Sequence, residues 1–157
     1  LGAIGRRVAE IARAFGAKVI YYSASGAPAQ EGYEQVDFET LLTQSDIISV
    51  HAPLNEHTEG LINSKAFEKM KSSCIFLNLG RGPIVDEQAL YNALVRNQIA
   101  AAGLDVLCKE PMSADNPLLK IKDSKRLLIT PHIAWASVEA RTHLMEIIHG
   151  QVKDFFA

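Results

Sequence analysis

The chain has 157 residues, 48% of them hydrophobic and 22% charged, with a formal net charge of -2. That length suits one domain, able to bury roughly two-thirds of its unfolded surface around one core. No apolar run approaches the ~20 residues of a membrane span, and scattered Lys and Arg make no basic footprint for nucleic acid, so small molecules are the expected partners.

Leu1-Gly2-Ala3-Ile4-Gly5 leads into a predicted helix over Arg6 to Phe15, where Val8, Ile11, Ala12 and Phe15 form the stripe of a helix packed on a sheet, and Gly16 stops it. Lys18 to Tyr22 reads as a short strand, Ser23 to Glu34 as a polar loop, and Phe38 to Gln44 as a brief helix. Asp46 to Val50 is a buried strand ending in His51-Ala52-Pro53. Asn63 or Ser64 caps a helix through Met70, Cys74 to Asn78 is the next strand, and Asp86 caps a helix over Glu87 to Asn97. Ile99 to Leu104 is a strand, Asp105 to Arg126 is irregular, and Leu127 to Ile129 is a strand that Pro131 terminates. Ser137 caps a last helix with Leu144, Ile148, Val152 and Phe155 on one stripe. Strands alternate with helices and carry near-continuous apolar runs. That pattern predicts an α/β fold with a doubly wound parallel sheet covered on both faces.

A dinucleotide fingerprint reads G-x-G-x-x-G between a strand and a helix. Gly2 and Gly5 supply its second and third glycines, while the first glycine and its strand would precede Leu1. A chain that starts inside its motif is expected to be a piece of a longer protein, because the missing strand lies centrally in such a sheet and its neighbours would be left unpaired. The second strand ends at Tyr22-Ser23, about the ~20-residue offset at which a ribose-binding carboxylate belongs. Ser23 stands there instead, so NADP is not excluded, although the loop to Gln30 lacks an arginine for a 2′-phosphate.

Arg81, flanked by Gly80 and Gly82, sits at the carboxyl end of a strand, where open α/β sheets bind their ligands. It is a candidate anion clamp; a solvated arginine in an ordinary turn is the alternative that these residues leave open. Asp105 and Glu110 follow the next strand and His132 the one after, so an arginine, acids and a histidine on successive connections would converge on one sheet edge. Each also has a plain structural reading as a capping, loop or turn residue. Cys74 and Cys108 show no metal-ligand spacing and suit a reducing cytoplasm.

Gly2-x-x-Gly5-x-x-Val8-Ala9, His51-Ala52-Pro53-Leu54, Asn78-Leu79-Gly80-Arg81-Gly82 with Val85-Asp86, Gly103-Leu104-Asp105-Val106 with Glu110-Pro111, and Pro131-His132 together resemble the D-isomer-specific 2-hydroxyacid dehydrogenases. The resemblance runs in order over essentially the whole chain. It implies a Rossmann-like NAD- or NADP-binding domain over residues 1–157, incomplete at its N-terminus, with the substrate domain absent from this chain. Arg81 then matches the arginine that binds the substrate carboxylate, His132 the acid/base histidine, and Glu110 the acid hydrogen-bonded to it. Cofactor contacts fall to Gly2, Ile4, Gly5, Ser23, His51, Pro53 and Asp105, the last beside the nicotinamide carboxamide, with NAD favoured slightly over NADP.

The implied activity is hydride transfer between NAD(P)H and a small 2-keto or 2-hydroxy acid such as hydroxypyruvate or glyoxylate, in a homodimer. His132-Ile133-Ala134-Trp135-Ala136 is similar to the form of the glycerate dehydrogenase and hydroxypyruvate reductase branches, although Trp135 also reads as an aromatic packed beneath the last helix. The alternative is a dinucleotide-sensing binding protein, like the transcriptional corepressors on this fold.

Overall fold

The computed structural model describes residues 1–156. In chain order it forms α1 (Ala3–Ala14), β1 (Ile20–Tyr21), β2 (Glu34–Gln35), α2 (Phe38–Gln44), β3 (Ile47–Val50), α3 (Ser64–Lys69), β4 (Ile75–Asn78), α4 (Glu87–Val95), β5 (Ala101–Leu104), β6 (Leu127–Ile129) and α5 (Val138–Phe156). Short 3-10 turns occupy Gly82–Ile84 and Pro117–Lys120. Local chemistry sets the helix starts. The Asp37 carboxylate accepts from Thr40 N at 2.7 Å, Asn63 Oδ1 from the amides of Lys65 and Ala66, Asp86 from Ala89 N at 2.9 Å, and Ser137 Oγ from Ala140 N at 3.1 Å. Each occupies an amide that the first turn leaves unpaired.

Strands β3-β4-β5-β6 pair in that order, all parallel, with Ile48, Phe76, Ala102 and Leu127 in register across the sheet. Parallel pairing brings the carboxyl ends of all four strands to one edge, so the connections after them share it. One face carries the core. Phe76 meets Phe67 edge-on at 5.6 Å between ring centres, and Leu42, Ile62, Ile84, Leu90, Ile99 and Leu118 fill the space around them. Burying each such side chain contributes about 1.5–3 kcal/mol.

The α/β class and parallel pairing are as expected, but cover on both faces is not. Ile47 and Leu128, each 61% exposed, and Ile75 point to the other face, which stays open among the described residues. The physical reason lies in α1 and α5. Helix α1 buries only Gly5 and Ala9 and leaves Val8, Ile11 and Phe15 exposed, with Phe15 at 88%, while α5 buries none of its residues. The stripes predicted on these two helices therefore exist in sequence without packing on the sheet. Strand β2 falls within no apolar run and was not expected; it pairs parallel with β1 in a second, separate sheet.

Candidate active site

The site is built on the connections leaving β3, β4, β5 and β6. After β3, His51 Nε2 is hydrogen-bonded to Ser49 Oγ at 2.9 Å, and burial lowers its pKa, so the imidazole is neutral at neutral pH. After β4, the buried Asn78 side chain folds the glycine-flanked turn, with Oδ1 accepting from Gly80 N at 3.1 Å and Nδ2 donating to the Arg81 carbonyl at 3.0 Å. Arg81 projects as an exposed guanidinium whose Nη1 donates to Gly80 O at 2.8 Å. Arg81, His51, Pro53 and Ile4 line one open cavity of about 470 Å³. The start of α1 and the Arg81 turn thus face a common space.

After β5, Asp105 is buried and its carboxylate accepts from Thr130 Oγ1 at 2.6 Å and from the amides of Ile133 and Ala134 at 2.9 Å each. Burial pushes its carboxyl pKa up, but these three donors and the nearby His132 together outweigh burial and hold it below the ordinary value. Asp105 thereby clamps the loop that carries His132. One acceptor position on Oδ2 stays free beyond these bonds, compatible with a carboxamide donor.

Glu110, further along the same connection, accepts from Leu107 N at 2.9 Å on Oε1 and from His132 Nδ1 at 2.9 Å on Oε2. The Leu107 amide, then His132, hold the Glu110 carboxyl below its ordinary pKa. With Nδ1 committed to Glu110, Nε2 is the ring atom available to a substrate. His132 itself takes a positive φ of 54°, uncommon for a residue with a side chain, and its carbonyl accepts from the Trp135 indole at 2.9 Å. Trp135 is 55% exposed, so the reading of an aromatic packed beneath the last helix is corrected; the indole instead braces the histidine loop.

At the start of α1, whose Ile4 lines the cavity, Gly2 occupies the N-cap with no side chain bonded to the first-turn amides and no acidic residue in that turn. A Cβ at Gly5 would stand 3.3 Å from Leu1 Cδ2 and 3.9 Å from His51 Cβ, so this helix start lies close beneath the His51 connection. Open amides at a helix N-terminus fit a pyrophosphate. Ser23 Oγ lies 3.2 Å from Ser25 Oγ, hydrogen-bonded within its own turn.

Thus Glu110 and His132 are brought into contact, Arg81 shares a cavity with Ile4, His51 and Pro53, and Gly2 and Gly5 open the same region, whereas Ser23 bonds locally. Sequence reasoning missed Thr130, Ser49 and the Leu107 amide. Thr130 carried a usable signal, a hydroxyl two residues before His132 at the end of β6. The other two depend on contacts that no spacing announces.

An open parallel sheet with a helix start and a histidine–carboxylate pair along its carboxyl edge defines a dinucleotide-binding α/β domain. Residues 1–134 match the family model described as D-isomer specific 2-hydroxyacid dehydrogenase, NAD binding domain, and the chain belongs to that family. It is 45% identical to a hydroxypyruvate reductase of Blautia hydrogenotrophica over 156 residues, covering 98% of this chain and 48% of the relative. Among solved structures it is similar to an NADPH-dependent glyoxylate/hydroxypyruvate reductase from Sinorhizobium meliloti in complex with NADP and malonate. That TM-score is 0.89, at 30% identity, covering 100% of this chain and 48% of the other. It is likewise similar to a D-lactate dehydrogenase with NAD+ from Lactobacillus jensenii, with a TM-score of 0.83 and 38% identity over 94% of this chain and 48% of the other. The chain spans about half the length of the curated relatives it matches.

Proposed function

We propose that this chain is the cofactor-binding half of an NAD(P)-dependent oxidoreductase that interconverts a small 2-keto acid and its 2-hydroxy acid, with hydroxypyruvate or glyoxylate as substrate. The observation that carries this reading is the 2.9 Å pair between His132 and Glu110, on the same sheet edge as Arg81. The uncapped start of α1, Gly5 and the cavity between Ile4 and Arg81 fit a dinucleotide. Bound there, its nicotinamide supplies or takes up the hydride at the substrate's second carbon.

The chain's own residues do the rest. Arg81 offers two parallel donors to the substrate carboxylate, a geometry lysine lacks. His132 Nε2 delivers a proton to the carbonyl oxygen during reduction and removes it from the hydroxyl during oxidation. Glu110 fixes the ring orientation, and Asp105 holds the loop beneath it, with an acceptor position that would serve the carboxamide of the bound cofactor. NAD is the proposed preference, because the Ser23–Gln30 loop offers no cation to a 2′-phosphate. The exposed stripe of α1, the unpacked α5 and the open sheet face support a second, substrate-bearing domain and a homodimer in the complete protein.

The test is oxidation of NADH and NADPH by the full-length protein with hydroxypyruvate, glyoxylate and pyruvate, repeated with Arg81→Gln. Turnover is expected with a 2-keto acid and NADH, and KM for the acid should rise at least tenfold in the variant. No turnover with any of the three acids would sink the oxidoreductase reading, and an unchanged KM would remove Arg81 from it.

A further inference from the structure

We propose that Glu87, the first residue of α4, is a positioning residue that sets the Glu110 carboxylate against His132 by holding the Leu107–Cys108 peptide in place. The proposal rests on the oxidoreductase reading above and adds to it a residue outside the His132, Glu110 and Arg81 set.

Glu87 uses both of its oxygens across the fold. Oε1 accepts from Cys108 N at 2.8 Å and Oε2 from Asn116 Nδ2 at 2.8 Å. Asn116 is buried, and its own Oδ1 accepts from Leu118 N at 2.9 Å, which anchors it to the 3-10 turn packed in the core. The carboxylate therefore ties both ends of the segment that carries Glu110 to the start of α4. A helix-start acid serving only the helix dipole would need neither bond.

The peptide Glu87 holds is the one that matters to Glu110. Leu107 N, one residue before Cys108 N, donates to Glu110 Oε1, and Glu110 Oε2 reaches His132. The same peptide also lies against Gly82, where a Cβ would overlap the Leu107 carbonyl and the Cys108 amide nitrogen. Gly82 follows Arg81 directly. One peptide unit is thus clamped between the Arg81 turn and the Glu87 carboxylate, and its neighbouring amide is the principal donor to Glu110.

The groups facing Glu110 are the Leu107 amide, His132 and, with opposing effect, Asp105. Loosening the peptide weakens the first of these. The test uses the full-length protein with NADH and hydroxypyruvate, the variants Glu87→Ala, Glu87→Gln, Glu87→Asp and Glu110→Gln, and the Glu87→Ala/Glu110→Gln double variant. It also uses a carbon-detected NMR titration of the Glu110 carboxyl, assigned by Glu110→Gln.

In Glu87→Ala, kcat is expected to fall about 10- to 100-fold, the scale of a misplaced catalytic group, with KM for NADH unchanged. The Glu110 midpoint should move up toward the ordinary carboxylate value. Glu87→Gln, which keeps a carbonyl acceptor for Cys108 N but sets its amide nitrogen against the Asn116 donor, should recover part of kcat relative to Glu87→Ala, and the double variant should be no slower than Glu110→Gln alone. A Glu110 midpoint that stays in place, or losses that multiply in the double variant, would overturn the proposal. Should Glu87→Ala fail to fold, Glu87→Asp, one methylene too short to span both donors, carries the same test, and an unmoved midpoint there overturns it equally. A parent protein without turnover would defeat the oxidoreductase reading alone, since the titration still decides what Glu87 does.

Discussion

The two ends of the candidate site are built to different tolerances. At the carboxyl ends of β4, β5 and β6, every connection is pinned by a side chain: Asn78 within its own Arg81 turn and, across the fold, Asp105 into the histidine loop and Glu110 onto His132. At the nucleotide end, α1 buries two small residues, β1 and β2 are two residues each, and the loop between them is tied by Gln30, whose amide donates to Tyr21 Oη and whose side chain donates to Leu1 O. The contrast follows from the proposed chemistry. Proton transfer requires a histidine nitrogen within about 3 Å of its partner atom, whereas a pyrophosphate needs open amides and room for a close approach. Rigid placement is concentrated where the proposed bond-making demands it.

The largest effect is expected where that rigidity ends in chemistry. His132→Ala removes the proposed proton donor and should lower kcat/KM for hydroxypyruvate by about 10²–10⁴-fold, the usual range for general acid catalysis. NADH binding, followed by its fluorescence in a titration, should hardly change. A variant that keeps full turnover would place the chemistry elsewhere and erase the distinction between the two ends.

Much of the fold that positions the candidate site was legible in sequence, and for stated reasons. Helix α2 and strand β6 fall at the expected residues because Asp37 supplies a cap and Pro131 a stop. A shared edge for Glu110 and His132 follows from parallel strands, while their pairing is implied only by the family resemblance. What escaped was second-order: the three bonds that commit Asp105 to the loop of His132, the Glu87 clamp, and the overlap that bars a side chain from Gly82. Each joins residues more than 20 positions apart, most of them through a backbone amide or carbonyl that no residue-type pattern reveals. The open sheet face escaped for the opposite reason. An apolar stripe states that a surface is suited to burial, and Phe15 shows that it does not name what covers it.

Asp105 allows the pinning to be measured without the chemistry. Asp105→Asn keeps one carbonyl acceptor but turns the other position into a donor facing the Ala134 amide, leaving a donor unpaired in a buried site, at about 1–3 kcal/mol. Its pH signature is separate. The folded-state pKa of Asp105 lies below its ordinary value, so its contribution is fully present above the unfolded pKa of about 4 and is lost as pH falls through the folded value. Urea unfolding should therefore show the variant less stable at pH 7 and the gap closing below about pH 4. A gap that persists undiminished in acid would mean that the carboxylate charge is not what holds the histidine loop.

The smallest effect is expected at the nucleotide end, and it probes whether that end reads charge at all. Ser23→Asp places a carboxylate at the close of β1, in the loop from Ser23 to Gln30 that carries no lysine or arginine. Against a 2′-phosphate the new charge is repulsive, on the order of 1 kcal/mol for each unit charge at 4 Å in solvent, while toward a 2′-hydroxyl it is an acceptor. The ratio of kcat/KM with NADH to that with NADPH should rise roughly 5- to 10-fold, the rate equivalent of that energy, and should shrink as salt screens the repulsion. Because no element of the site's other end touches this loop through Ser23, whose hydroxyl bonds only Ser25, kcat with NADH should stay level. A fall in kcat as large as that of the reactive-end variants would mean that the two ends are mechanically coupled, and that the loose construction of the first is only local.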